Sequence, residues 1–242
     1  MDNETFSKVI DYLVSSGGTL KENHRLPPER TMAQVLGLNR TTLRESMAVL
    51  EALGFVSRKQ GNGTHLRLPG VDFQRYYFET ALRLNHITLR DLEETREMLE
   101  LEIVQSAARN ATDQDIKTLS YFLEKLLSTR DEAYGLELDI TFHLHIGTCT
   151  HNPVIQALLE SLSSALREVL RERRSLVGTT PNGMGRTDIT HVAVLEAIRD
   201  HDPRRALKAM QVHFDKWRDY VSRAKEIRKN ASSGSEKRVR RR

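Results

Sequence analysis

The chain has 242 residues, of which 38% are hydrophobic and 29% charged, values of a globular protein rather than a fibrous or disordered one. No apolar run approaches the roughly 20 residues needed to span a bilayer, and the acidic start Met1-Asp2-Asn3-Glu4 lacks a signal-peptide pattern. The single cysteine, Cys149, excludes an intramolecular disulfide and a cysteine-rich zinc site, and is expected to be a small buried apolar residue in a reducing cytoplasm.

Charge is unevenly distributed. Residues 1–68 carry nine Lys/Arg against seven Asp/Glu, residues 69–220 carry 19 against 24, and residues 221–242 carry nine against two. The basic pI of about 9.2 is therefore a property of the tail. A nucleic-acid partner has to be argued from pattern and not from net charge.

In chain order, Phe6, Val9, Ile10 and Leu13 recur at helical spacing until Gly17-Gly18 ends the run. Pro27-Pro28 predicts the start of a second short helix, carrying Met32, Ala33, Val35 and Leu36 and stopping at Gly37. A third helix follows Asn39, a good N-cap, with its apolar stripe at Leu43, Met47, Leu50 and Leu53, and Gly54 closes it. Phe55 to Arg58 and Thr64 to Leu68, separated by Gly61-Asn62-Gly63, predict a β-hairpin. Helix, glycine turn, helix and hairpin is the plan of a winged helix-turn-helix.

That plan suits double-stranded DNA. A recognition helix presents short polar groups and long cations in its first turn to the major groove. Asn39-Arg40-Thr41-Thr42-Leu43-Arg44 does so: Arg40 and Arg44 share one face, within reach of guanine or phosphate. Thr41 and Thr42 are hydroxyl donors at a helix N-terminus, where phosphate is favoured. Gly61 and Gly63 allow the wing backbone to approach a phosphate closely. The ordinary alternative is that the arginines only solvate their helices, with Arg30 paired to Glu29 or Glu45.

Leu26-Pro27-Pro28-Glu29-Arg30, Leu36 to Glu45, Leu50 to Val56 and Gly61-Asn62-Gly63-Thr64 closely resemble the signature of GntR-type regulators, in the correct order. The resemblance implies that Arg30, Arg40 and Arg44 contact an operator. It implies that Asn39, Thr41 and Thr42 touch phosphates, and that Gln60 and Gly61 sit at the minor groove. Pro28 stands where serine is usual, and the segment before Leu26 lacks the usual Pro-Gly.

Beyond Pro69-Gly70, a natural boundary, the chain reads as almost entirely helical, with helices near 72–84, 89–110, 113–129, 133–150, 152–177, 187–201 and 203–226. Residues 178–185 read as a mobile loop. Asp139 and His143 lie four apart on a face with Leu136 and Ile146; His191 shares its face with Val194, Leu195 and Ile198; His213 shares its face with Met210, Trp217 and Tyr220. Each histidine alone is commonly a hydrogen-bonded core residue. Together, one Asp and three neutral imidazoles suit a divalent transition metal with positions left for a ligand. The other six histidines, His145 and His151 among them, are read as ordinary.

Asp139-x3-His143, His191 with Ala197-Ile198-x-Asp200, and Met210-x2-His213 resemble the FCD ligand-binding domain of the FadR subfamily, over most of residues 89–220. Arg96-x3-Glu100, Ala107-Ala108 and Asn152-Pro153 match further positions of that pattern. The resemblance implies an antiparallel helical bundle, a homodimer, and a metal ion (zinc, nickel or manganese) at Asp139, His143, His191 and His213. It also implies a small organic acid or sugar acid as effector, contacted by Arg96 and Asn152. Arg96 could instead pair with Glu93 or Glu100, and Asn152 could be only a helix cap.

The expected protein is thus mainly α. It has a winged helix-turn-helix over 1–68, a linker and first helix over 69–88, an all-α effector-binding and dimerisation bundle over 89–226, and a basic, disordered tail over 227–242. The expected function is a bacterial cytoplasmic, DNA-binding transcription regulator, a repressor in the favoured reading, with no membrane partner. A metal-dependent enzyme with an accessory DNA domain is the alternative reading.

Overall fold

The computed structural model describes residues 3–16, 24–59, 61–67, 70–180 and 183–239. The chain divides into two compact units, Met1–Tyr77 and Phe78–Arg242.

In the first unit, α1 (Asn3–Ser16), α2 (Glu29–Leu36) and α3 (Arg40–Ala52) are followed by β1 (Val56–Lys59) and β2 (Gly63–Leu66). Pro28 has no side chain to cap α2, and the N–H groups of Thr31 and Met32 bond to its carbonyl instead. Gly37 ends that helix in the left-handed conformation (φ 64°), which glycine adopts without steric cost. The strands pair antiparallel with Val56 opposite Leu66 and Lys59 opposite Gly63. Residues 24–26 lie along the outer edge of β2, through Leu26 N–H to Thr64 O and Leu66 N–H to His24 O, both 2.8 Å. Val9, Leu13, Leu26, Met32, Leu43, Met47, Leu50, Val56 and Leu66 form one core drawn from every element. Leu43 and Met47 are fully buried, each stabilising the unit by about 1.5–3 kcal/mol. Gly17-Gly18 and Gln60 lie outside the described residues.

The second unit is all-helical among the described residues. α4 (Asp72–Arg83) crosses the division between the units, and α5 (Leu89–Asn110), α6 (Asp113–Ser128), α7 (Glu132–Thr148) and α8 (Pro153–Gly178) follow. α9 (Gly183–Asp188), α10 (Thr190–Arg199) and α11 (Pro203–Val239) complete the unit. Thr88 and Thr112 open α5 and α6 with complete capping boxes to Asp91 and Asp115. Short connections make α6, α7 and α8 antiparallel neighbours. Gly147 permits the close approach of α7 to α8, since a Cβ there would stand 3.0 Å from Leu159 Cδ2. The main core runs from Val104, Ala107 and Ala108 through Leu119, Phe142 and Ile146 to Val194, Ile198 and Met210.

Two differences from the sequence reading concern helix ends. The segment read as a loop over 178–185 and one helix from 187 contains a separate short helix, α9, before α10. The tail expected to be disordered from 227 continues α11 as far as Val239. No described helix is long and apolar enough to cross a membrane.

Candidate functional site

The first unit presents a candidate nucleic-acid face. Asn39, with extended backbone, caps α3: its Oδ1 accepts the Thr42 N–H at 2.8 Å and the Thr42 hydroxyl at 2.9 Å. Two of the three residues expected at phosphates, Asn39 and Thr42, are thus already engaged in shaping the start of the helix. Burial of Leu43, Met47 and Leu50 on one side leaves Arg40, Thr41 and Arg44 exposed on the other, and Arg30 is exposed on α2. Arg30 and Arg40 make no ion pair with a described residue, so the pairing of Arg30 with Glu29 or Glu45 is not observed. Arg44 instead stands 3.7 Å from Glu29, which also lies 3.5 Å from Arg58. At such distance and exposure this contact is weak and replaceable by a phosphate. Arg58 holds the wing to α3 more firmly, through Glu51 at 2.7 and 2.8 Å. Gly61 (φ 77°) and Gly63 (φ 83°) form the wing turn in the left-handed region. Gly63 is also covered by Arg25, whose Nε would be 3.1 Å from an added Cβ.

In the second unit, α7 brings Asp139 and His143, α10 brings His191, and α11 brings His213 to one buried point. The imidazole centroids are 4.4 to 5.2 Å apart, and one ligand nitrogen from each ring lies within 4.8 Å of the others. His143 Nε2 and His191 Nε2 are 3.2 Å apart. Asp139 Oδ1 is 3.1 Å from His191 Nε2, and the same 4.8 Å closeness groups Asp139 with His191 and Asp188. Asp139 thus stands on the His191 side of the cluster.

Each ring is oriented from behind through Nδ1. His191 Nδ1 donates to the Asp188 carbonyl at 2.8 Å. His143 Nδ1 is hydrogen-bonded to the carboxylate of Glu100. His213 Nδ1 is 2.7 Å from the Thr190 hydroxyl, whose own proton goes to the Thr187 carbonyl, so the ring is the donor. All three therefore carry a hydrogen on Nδ1, with Nε2 turned to the common point. This second layer of partners is what orients histidine ligands.

Burial works to raise the Asp139 pKa, but His191, His143 and Arg174 outweigh it and hold the carboxyl well below the usual range. Burial works to lower the His191 pKa, but Asp139 outweighs it and the ring is held raised. Burial, then the charges of His191 and His143, push His213 far below the ordinary histidine value. Three Nε2 atoms and a carboxylate thus face one space, with a proton favoured on His191 by Asp139. Such a set of acceptors is suited to a cation, and three nitrogens with one oxygen match a divalent transition metal.

Arg96 and Trp217 join this cluster around a cavity of about 30 Å³, roughly the space of one water molecule. Arg96 is buried and ion-paired to Glu100 at 2.6 Å. The pairing weighed as its alternative therefore exists, while its guanidinium still lines the cavity. A wider cleft of about 600 Å³ shares Arg96, Leu170, Phe214 and Trp217 with that cavity. Asn152 is not among the lining residues; its Oδ1 accepts the Val154 N–H at 3.0 Å as the cap of α8. The structure gives Asn152 the capping role.

Residues 91–216 match the FCD domain, and residues 13–66 match the bacterial regulatory proteins of the gntR family. The chain belongs to the GntR family and carries an FCD domain. This GntR regulator is similar to the HTH-type transcriptional regulator LutR of Bacillus subtilis, with 27% identity over 85% of this chain and 94% of that protein. It is also similar to the Glc operon transcriptional activator of Escherichia coli K12, with 27% identity over 87% of this chain and 85% of that protein. Its fold is that of a solved structure, Streptococcus agalactiae GntR, at a TM-score of 0.67. That likeness covers 89% of this chain and 98% of the other at 22% identity. The protein is a transcriptional regulator and not an enzyme.

Several site residues of this regulator escaped the sequence reading. Arg174 is buried, donates to Asp188 through both terminal nitrogens at 3.1 and 2.9 Å, and lies 3.9 Å from Asp139. It sits in a run with Arg167, Arg171 and Arg173, and nothing in the run singles it out. Glu100 was visible as a partner for Arg96 and a matched position of the FCD pattern but not as the support of His143, and Asp188 and Thr190 carried no signal.

Proposed function

We propose that this GntR regulator binds operator DNA as a homodimer, each protomer placing α3 in a major groove with Arg40 and Arg44 at its leading turn. Arg30 contacts the same DNA. Thr41 contributes a phosphate contact, with Asn39 and Thr42 supporting it as the helix cap, and Gly61 and Gly63 bring the wing backbone to the duplex.

The controlling signal is a small organic acid or sugar acid held at a divalent transition metal on Asp139, His143, His191 and His213. The observation that carries this reading is the convergence of three Nε2 atoms whose Nδ1 atoms are all held from behind. The metal would supply a Lewis-acidic attachment point for a carboxylate. Arg96 would add a guanidinium beside it. The 30 Å³ cavity is too small for such an acid, so binding moves Trp217, Phe214 or Leu170 toward the adjoining cleft. α8 and α11 thereby report occupancy. In the repressor mode this movement weakens operator binding.

The test uses full-length protein stripped with chelator and reloaded with zinc, nickel or manganese. Metal content is measured first, then thermal shifts with a panel of two- to six-carbon hydroxy, keto and sugar acids. A DNA fragment selected from a random pool then reports affinity with and without the stabilising acid. The expected result is one metal ion per chain bound through this cluster, absent in His191→Ala, an acid that stabilises only the loaded protein, and a changed DNA affinity. Metal binding unaffected by His191→Ala would reject the metal reading. Acid binding that ignores the metal would reject its role as attachment point, and acid-independent DNA binding would reject effector control.

A further inference from the structure

His145 and His151 read as ordinary in the sequence, and Cys149 as a buried apolar residue. The packing of α6 against α7 places them together. Asp115 is the third residue of α6, and its Oδ2 closes the capping box by accepting the Thr112 N–H at 2.9 Å and hydroxyl at 2.6 Å. Its Oδ1 takes no part in that box. Because α7 runs antiparallel to α6, the C-terminal end of α7 arrives beside this carboxylate. His145 and Cys149, four apart, share the face that meets it.

His145 Nε2 is 3.9 Å from Asp115 Oδ1, is shielded from solvent and has no hydrogen-bond partner. Cys149 is fully buried, with Sγ 3.1 Å from the His145 carbonyl. The ligand atoms of Asp115, His145 and Cys149 all lie within 4.8 Å of one another. His151 follows in a left-handed conformation (φ 54°), unusual for a residue with a side chain, and brings Nε2 3.3 Å from Asp115 Oδ2. It is half exposed and opens the cluster to solvent.

Four donors about a tetrahedral metal, with bonds of about 2.0–2.3 Å, stand about 3–4 Å apart. Asp115, His145 and Cys149 lie near that spacing, and His151, which stands beside Asp115, completes the set by rotation of its exposed side chain. The chemistry is also suitable. Burial depresses His145, against the Asp115 charge, toward the neutral ligand form. Burial works against Asp115 ionisation, but Thr112, His151 and His145 outweigh it and hold the carboxyl below its ordinary value. Burial and the Asp115 charge push the Cys149 thiol up to about 12, so that a bound cation, rather than pH, would ionise it.

We propose that Asp115, His145, Cys149 and His151 form a second divalent-metal site, of the zinc-like thiolate and imidazole class, separate from the cluster on His143, His191 and His213. Binding forms a sulfur–metal bond, and the Cys149 proton is released to solvent. The ion ties the start of α6 to the end of α7, the helix that also carries Asp139 and His143.

Cobalt(II) is the probe, because a thiolate ligand gives it a near-ultraviolet charge-transfer band that nitrogen and oxygen ligands do not. The other cluster contains no cysteine, so the band reports this site alone. Titration of full-length protein is expected to develop the band to saturation by two cobalt per chain, since the histidine cluster takes up cobalt without contributing to the band, and with proton release. His213→Ala retains the band and Cys149→Ser loses it. His151→Ala, at an exposed position that leaves the core intact, shifts its appearance to higher cobalt concentration. A folded wild type that shows no band at saturating cobalt overturns the proposal. So does a band whose midpoint is unchanged in His151→Ala, which would leave His151 outside the site.

Discussion

Glu100 on α5 and His143 on α7, 43 positions apart in the chain, share a buried hydrogen bond between carboxylate and Nδ1. The other Glu100 oxygen pairs with Arg96 at 2.6 Å. Burial opposes ionisation of Glu100, but Arg96 and then His143 outweigh it and hold its carboxyl below the ordinary value. One carboxylate thus neutralises a buried guanidinium and orients an imidazole.

Glu100→Gln is therefore expected to have two separable effects. Metal affinity should fall by about 10–100-fold, as when a ligand histidine is deprived of its outer hydrogen bond. Stability should fall by about 3–5 kcal/mol, because Arg96 is left buried without its countercharge. Competition with a chromophoric chelator measures the first and denaturant unfolding the second. The double variant Arg96→Met/Glu100→Gln should recover stability but not affinity. Wild-type affinity in Glu100→Gln would show that this carboxylate does not position the ligand.

Removal of metal should lower the unfolding temperature of the FCD unit. At metal concentrations 100-fold above Kd, the loaded state gains about 2.7 kcal/mol. His191→Ala should show no thermal gain attributable to this site when zinc is added. The comparison is made by calorimetry in the Cys149→Ser background, which removes any contribution from the second cluster. An equal gain in His191→Ala would place the stabilising ion elsewhere.

Arg40 is exposed and makes no ion pair with a described residue. Arg40→Ala should therefore leave stability within about 0.5 kcal/mol while weakening selected DNA by about 1–3 kcal/mol. Asn39→Ala should instead cost about 1 kcal/mol of folding stability through loss of the α3 cap. Gel-shift titration and urea unfolding on both variants separate reading from capping. Undiminished DNA affinity in Arg40→Ala would remove it from the interface.

The tail offers a test by salt. Residues 231–242 contain Lys237, Arg238, Arg240, Arg241 and Arg242 against one acid, Glu236. Their deletion should weaken nonspecific DNA binding and flatten the dependence of log K on log salt by about 0.9 for each phosphate that the tail neutralises. An unchanged slope would mean that the tail does not touch DNA.

Asp91 gives a pH signature at the entrance of α5. The Thr88 hydroxyl and N–H bond its carboxylate and hold its pKa below the ordinary value. Because the folded value is the lower one, the capping contribution is complete above the unfolded carboxyl pKa. It is lost as pH falls through the folded value. Thr88→Val should raise the Asp91 pKa toward the ordinary range in an NMR titration. No movement would assign the shift to another group.

By itself the sequence determined the local order of this regulator. Helical periodicity, Asn39 before the third helix, Gly37 and Gly54 after two helices, and the paired wing glycines are short-range signals. Neighbouring residues largely dictate them. The same periodicity placed His143, His191 and His213 on inward faces and so anticipated their meeting. Only the tertiary structure decided what stands behind and beside them. The Nδ1 partners Glu100, Asp188 and Thr190, the buried Arg174–Asp188 pair and the narrow cavity at Trp217 depend on which helix packs against which, and at what height. The cluster of Asp115, His145, Cys149 and His151 depends on the same information. Its members follow no recognised spacing, and they meet because an antiparallel pair sets the start of α6 beside the end of α7. Side-chain chemistry is written residue by residue, whereas the distances that make it a site arise from packing between helices far apart in the chain.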